Sequence, residues 1–274
     1  MILGKVIATF VFEFSRSLTT SRIATSMVLT LFAPVMLGLI GFFNQTDIYT
    51  RIPAIGCLIL IGVFHLLAIF LAVLLWATPV VYSELEGKTW TYLAIRPNGK
   101  LASTLGKFVN AVFWATMTAS ISLTCSCIVV SRFLGDFALN TSTPKAADLW
   151  VIWYSVLPCL FLGSLALSAI FIHIGLIAHK RGMVFAVIYG VVDSLLQLLP
   201  AVIRQFTVSF HLRNLAIKNA NFEAADMPQG VENIMTDDTS IWMHALALLA
   251  ITLVHLGASI WWLHAREYIN AEEA

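Results

Sequence analysis

Charge is what this chain has least of. Only 11% of its 274 residues are Asp, Glu, Lys or Arg, whereas a soluble domain carries about a quarter. The few charges nearly cancel, at a formal +1, so there is no bulk attraction to nucleic acid. Cysteine is scarce. Cys57, Cys125, Cys127 and Cys159 all fall in apolar runs, without the spacing of a zinc ribbon or a disulfide framework. Long polar stretches are missing as well. The longest, near 204–240, is too short for a sizeable core of its own. Enzyme motifs are thin, with no H-E-x-x-H and no G-x-S-x-G. What fills the space is apolar: 59% of residues are hydrophobic, and the mean hydropathy is +0.87. These shortages exclude the soluble classes and point to an all-α integral membrane protein.

Six apolar segments, at about 23–43, 55–79, 108–131, 150–177, 182–203 and 241–263, each reach the ~20 residues needed to cross ~30 Å of hydrocarbon. Backbone groups in lipid must be satisfied within the segment, so the expected form is helical. The alternation of a membrane barrel is absent. Pro200 near the end of the fifth segment interrupts a helix, and the last part of that segment is expected to dip back rather than cross cleanly. Ahead of the first span, residues 2–20 repeat at helical spacing. Ile2, Leu3, Val6, Ile7, Phe10, Phe14 and Leu18 fall on one side; Lys5, Thr9, Glu13, Arg16 and Thr20 fall on the other. With no small-x-small cleavage site, this reads as an interfacial helix in the headgroup plane, not a signal peptide.

The basic residues set an orientation. Lys5, Arg16, Arg22, Lys88, Arg96, Lys100, Lys107, Lys180, Arg181 and Arg266 fall on one side of the six segments. Arg51, Arg132, Lys145, Arg204, Arg213 and Lys218 fall on the other, in longer loops. The excess places both termini in the cytoplasm. Trp76, Trp261 and Trp262 then belong to the inner interface, and Trp150, Trp153 and Trp242 to the outer one. Two glycosylation triplets, at Asn44 and Asn140, would face outward.

The longest polar break in the first half, 83–107, is the inner loop between spans two and three. It combines Glu84 and Glu86 with Lys88, Arg96, Lys100 and Lys107, and it also holds Trp90, Tyr92, Leu93 and Ile95. A merely solvated loop has no use for those aromatics. The pattern predicts a short amphipathic helix ended by Pro97 and Gly99. Gly87-Lys88-Thr89 imitates the tail of a P-loop, but Tyr82 stands where its first glycine is required. Glu84-Leu-Glu86-Gly87-Lys88-Thr89, followed by Leu93, Pro97 and Lys107, resembles the coupling loop of ABC-2-type transporter permeases, although Lys88 splits the usual Gly-Thr. The helix with Glu13 and Arg16 looks like that family's elbow, and the six-span layout with a long outer segment at 204–240 is similar too. The resemblance implies a single transmembrane domain over 1–274 in a bacterial inner membrane. It implies an ATP-driven exporter in which this chain forms the conduit, paired with a second copy or a similar permease. Two copies of a separate ATPase would carry ATP and magnesium; this chain would hold no cofactor and would not itself be an enzyme. Glu84, Glu86, Gly87, Thr89, Trp90, Leu93 and Pro97 would then be the ATPase contacts, apolar anchors giving strength and charges giving register. The alternatives are membrane-surface anchoring by Trp90 and Tyr92, a non-transporting assembly or immunity factor on the same plan, and a membrane-embedded enzyme.

Polar residues inside the apolar runs are functional candidates by default. His65 and Asp193 come to similar depths, with Gln197 one turn beyond Asp193 on the same face; all three are conduit candidates, with Asp193 pairing to His65 or holding a helix break in neutral form. Cys125 and Cys127 suit either soft-metal binding or plain packing; no metal site is assigned. The small residues Gly163, Ser164, Ala166, Ser168 and Ala169 suit a close helix contact, including a seam between two copies.

Overall fold

The computed structural model describes residues 2–43, 54–79, 97–134, 149–199, 202–221 and 237–265. The described residues form helices and turns, with no strand among them. We number the α-helices in chain order: α1 Ile2–Ser17, α2 Thr20–Phe43, α3 Ala54–Ala77, α4 Gly99–Leu134, α5 Leu149–Ala178, α6 Gly182–Leu196, α7 Val208–Asn219 and α8 Ile241–Ala265. Five of them, α2, α3, α4, α5 and α8, are long and apolar enough to cross a membrane. Their boundaries follow the apolar runs closely, because a run of 20 or more apolar residues without charge has only the helix open to it in lipid.

Two boundaries differ from the sequence reading. Helix α4 begins at Gly99 rather than near 108 and runs 36 residues, or ~54 Å at 1.5 Å per residue. The last part of the 83–107 loop is therefore helical and continuous with the span. Its start is set by Asn98, whose φ of 60° lies in the left-handed region that Asn tolerates. The fifth apolar run, 182–203, is not one span. Helix α6 has 15 residues, ~22 Å, and stops in a turn at 197–199. The position before Pro200 is biased away from the helical region, which favours a stop there.

Helix α5 lies at the centre, packed against α3, α4, α6, α7 and α8. Gly163, Ser164, Ala166, Ser168 and Ala169 are all buried. Gly163 faces Leu212 of α7 and Ile69 of α3, so its close contact is made within this chain rather than with a second copy. A three-residue 3-10 turn, His179–Arg181, joins α5 to α6. It closes because both flanks lack a side chain. A Cβ at Gly175 would stand 2.5 Å from the Thr78 carbonyl oxygen, and one at Gly182 would stand 3.0 Å from the Gly175 Cα.

Helix α7 lies at the start of the polar segment 204–240, where Phe206, Phe210, Leu212 and Leu215 stand at helical spacing. Eight of its 12 residues are buried, Asn214 and His211 included. Leu212 meets Gly163, and Asn219 donates to the Ser155 carbonyl at 3.3 Å, so α7 runs antiparallel to α5. Helix α6 does the same. The two short helices therefore lie in series, the second starting beside Asp193 near the far end of the first.

Candidate functional site

The α6–α7 junction is built on one carboxylate. Along α6 the buried positions are Gly182, Ala186, Gly190 and Asp193, a helical stripe turned toward the bundle. The flanking Val184, Phe185, Val187, Ile188, Val191 and Val192 are exposed. Asp193 is 5% exposed. Its Oδ1 accepts from the Val208 N–H at 2.8 Å and the Tyr189 hydroxyl at 3.3 Å; its Oδ2 accepts from the Ser209 N–H at 3.0 Å and from the Ser209 hydroxyl. All four partners donate to it. Two of them are the first free N–H groups of α7, where the helix dipole favours negative charge. Thr207 is the N-cap of the same helix and its side chain accepts from the Phe210 N–H at 3.4 Å. Thus α6 supplies, from another segment, the cap that α7 cannot complete alone.

His65 is not part of this constellation. It is fully buried, with Nδ1 on the Ile61 carbonyl at 2.7 Å and Nε2 facing the Ser126 hydroxyl at 3.4 Å. A carbonyl only accepts, so Nδ1 carries the proton and Nε2 accepts from Ser126. The expected Asp193–His65 contact is replaced by these separate partners, because α7 inserts its N-terminus onto the aspartate. His65 and Gln197 instead share the lining of a cavity of about 150 Å³, with Leu58, Leu160, Leu212 and Arg213 among its other walls. Arg213 sits over the Phe210 ring at 5.9 Å and reaches the Gln197 carbonyl at 3.5 Å. Beyond Phe210, His211 and His244 face each other through their Nδ1 atoms at 3.0 Å, and His211 Nε2 lies 2.7 Å from the Gln205 carbonyl. That carbonyl fixes the His211 proton on Nε2, so His244 donates across the pair.

At the opposite end of α6, α1 is seated on α4 through a mixed face, with Phe10 and Phe14 turned inward beside Glu13 and Ser17. Glu13 and Ser17 are buried, while Ile2, Leu3, Ile7, Val11 and Phe12 are exposed. Close approach is possible at Gly106, where a Cβ would stand 2.7 Å from the Thr9 Cβ. The next residue, Lys107, 5% exposed, pairs with Glu13 at 3.5 Å, and Arg16 reaches the same carboxylate oxygen at 4.0 Å. Asn110 Nδ2 donates to the Ser17 hydroxyl at 3.3 Å. Phe14 stacks on Trp114 and Trp114 on Trp76, at 5.6 and 5.3 Å between ring centroids; the Arg22 guanidinium lies 5.5 Å above Trp76.

The residues predicted to grip a partner fall mostly outside the described residues: Glu84, Glu86, Gly87, Thr89, Trp90 and Leu93. Pro97 is described, and its carbonyl accepts from Lys5 Nζ of α1 at 2.8 Å. No family model matches the chain, and neither does any curated protein. Among the described residues no group of three or more His, Cys, Asp or Glu side chains converges as a metal ligand set. Cys125 and Cys127 are part-buried free thiols. The sequence reading missed Tyr189, Thr207 and Ser209 as partners of Asp193. A signal was available: Thr207-Val-Ser209 reads as a helix start, and Tyr189 lies one turn before Asp193. Nothing in the sequence links the two segments.

Proposed function

We propose that this protein is the membrane subunit of an ATP-driven exporter of the ABC-2 kind, moved by a separate ATPase that grips the 83–97 segment from the cytoplasm. The observation that carries the reading is the tie at the end of that segment. Lys5 of α1 holds the Pro97 carbonyl, and two residues later α4 begins and continues unbroken for 36 residues. A push on the segment would thus be delivered to α1 and α4 together. A continuous helix carries such a displacement across the bundle with little loss, and a packed interface converts it into one of two arrangements. The exposed apolar residues Ile2, Leu3, Ile7, Val11 and Phe12 support an elbow lying at the membrane surface, with Glu13 and Ser17 keyed to α4. Helices α6 and α7 in series, with the Asp193 cap between them, would form the fifth of six crossings in interrupted form, as broken helices do where backbone is buried in protein. The cavity shared by His65, Gln197 and Arg213 is the candidate polar point along the path. Both termini are cytoplasmic in this arrangement, and a second permease copy completes the conduit.

The deciding experiment is co-purification. The wild-type chain expressed from its native locus should bring an ATPase with it, and Trp90→Asp/Leu93→Asp should lose that partner while still reaching the membrane. Retention of the ATPase by the double variant would remove the coupling assignment.

A further inference from the structure

The cavity of about 150 Å³ beside His65 has a small polar edge and an apolar body. Helix α3 gives it Leu58, Leu66 and Ile69, α5 gives Leu160, and α7 gives Leu212 and Ile217. Among the described lining residues the polar side chains are His65, Gln197 and Arg213. Both ring nitrogens of His65 are engaged, by the Ile61 carbonyl and the Ser126 hydroxyl. Arg213 is held by the Gln197 carbonyl and the Phe210 ring, so Gln197 and Arg213 stand together at one edge. A buried water needs about three polar partners, which the body of the cavity does not offer. An apolar cavity of ~150 Å³ stays dry and takes a benzene-sized guest. Left empty, its walls forfeit their dispersion contacts. The fitting occupant is therefore hydrocarbon.

The position of the opening says where that hydrocarbon comes from. Leu58 is the fifth residue of α3 and Ile69 the sixteenth, so the lining follows ~16 Å of a helix long enough to cross the membrane. Val63 of α3 and Leu198 of the turn after α6 line the cavity and are exposed. Between them Gly62 borders open space: a Cβ there would meet nothing within 4 Å. Leu58, Leu160 and Leu212, on the inner wall, are buried. Helix α6 stops at Leu196, so a turn rather than a further length of helix borders this level of α3. Residues 200 and 201, next along the chain, are Pro and Ala and bring no charge to the rim. At this level of a crossing helix, exposed side chains face the acyl layer of the bilayer. We propose that the cavity holds one acyl chain of a membrane phospholipid, inserted sideways past Val63, Gly62 and Leu198 with its tip among Leu58, Leu160 and Leu212. The acyl chain packs α3 against α5 and α7 where α6 has ended. It is recognised as hydrocarbon, whatever head group it carries. The proposal needs only the membrane position of α3 and α5; it stands whether or not an ATPase drives this protein.

The test places the full-length protein in phosphatidylcholine vesicles with a phosphatidylcholine probe whose palmitoyl chain ends in a diazirine, and maps the photoadducts by peptide mass spectrometry. Lipid around the protein reaches exposed side chains such as Leu253 and Val254 of α8; only an inserted acyl chain reaches Leu58, Leu160 and Leu212. The wild type should carry adducts on both sets. Gly62→Leu puts a side chain into the open space without a clash. It should cut labelling of the buried set about tenfold, the equivalent of about two buried methylenes, and leave Leu253 and Val254 labelled as before. Gly257→Leu, at an equally open glycine of α8 outside the cavity, should change neither set. A phosphatidylglycerol probe with the same acyl chain should label the buried set equally. Adducts on Leu253 and Val254 with none on the buried set in the wild type would overturn the proposal, as would equal loss in the two glycine variants. A preference of about tenfold for one head group would assign the site to a polar ligand at the Gln197–Arg213 edge and overturn the acyl-chain assignment. Labelling of the buried set by a free diazirine alkane, but not by the phospholipid probes, would overturn the lipid as the occupant.

Discussion

Two buried carboxylates hold this molecule together, and they are satisfied in opposite ways. Glu13, at the seat of α1, is 8% exposed and meets full charges on Lys107 and Arg16. Asp193, at the junction of α6 and α7, is 5% exposed and meets backbone N–H groups and hydroxyls. A charge–charge contact joins two side chains, and neutralising both relieves it. A carboxylate on a helix N-terminus is bound in part to backbone N–H groups, which no substitution other than proline removes. The first is a separable clasp, suited to an element that docks on the bundle. The second is a fixed joint, suited to a broken helix whose halves must stay in register.

The largest effect is expected at the clasp. Glu13→Gln leaves the buried Lys107 ammonium without its carboxylate, which costs about 3–5 kcal/mol. Adding Lys107→Met should recover most of that loss in denaturant unfolding of the purified chain. A double variant as unstable as the single one would abolish the contrast drawn here. At the joint, Asp193→Ala is expected to cost about 2–3 kcal/mol and to speed hydrogen exchange at Val208 and Ser209. Asp193→Asn, which retains one acceptor oxygen, should fall between it and the wild type. No second-site neutralisation should restore stability, since Asp193→Ala/Ser209→Ala still leaves both backbone N–H groups without an acceptor; recovery in that variant would make the joint another clasp. The smallest change is Thr207→Ala, which removes only the local cap and costs about 1 kcal/mol, with faster exchange confined to the first turn of α7.

Legibility in the sequence was uneven for identifiable reasons. The apolar runs of α2, α3, α5 and α8 appear at nearly their observed limits, because lipid allows a long uncharged segment one backbone form. The early start of α4 was concealed by Lys100 and Lys107, which read as loop charges. Both bind within the protein instead, Lys100 to the Leu263 carbonyl at 3.1 Å and Lys107 to Glu13. The helical spacing of α7 was legible in Phe206, Phe210, Leu212 and Leu215, but its burial was not, because that comes from α5 and α8 packing around a segment of mixed composition. The helical form of α1 was legible, but the division of its sides was not: Phe10 and Phe14, read with the apolar side, pack on Phe113 and Trp114 next to buried Glu13, while Arg16 and Thr20 of the polar side are exposed.

Composition and periodicity were sufficient for the membrane class, the helical form and the existence of polar residues where polar residues are costly, since each follows from transferring backbone and side chains out of water. They could not say which polar group meets which. Glu13 and Lys107 are 94 positions apart in a chain of 274, and Asp193 meets its donors only after the chain turns back beside itself. Those partnerships depend on how helices close against one another, on absent side chains at Gly106 and Gly175 and on a helix start delivered to the right depth. That information resides in packing, which no single segment carries.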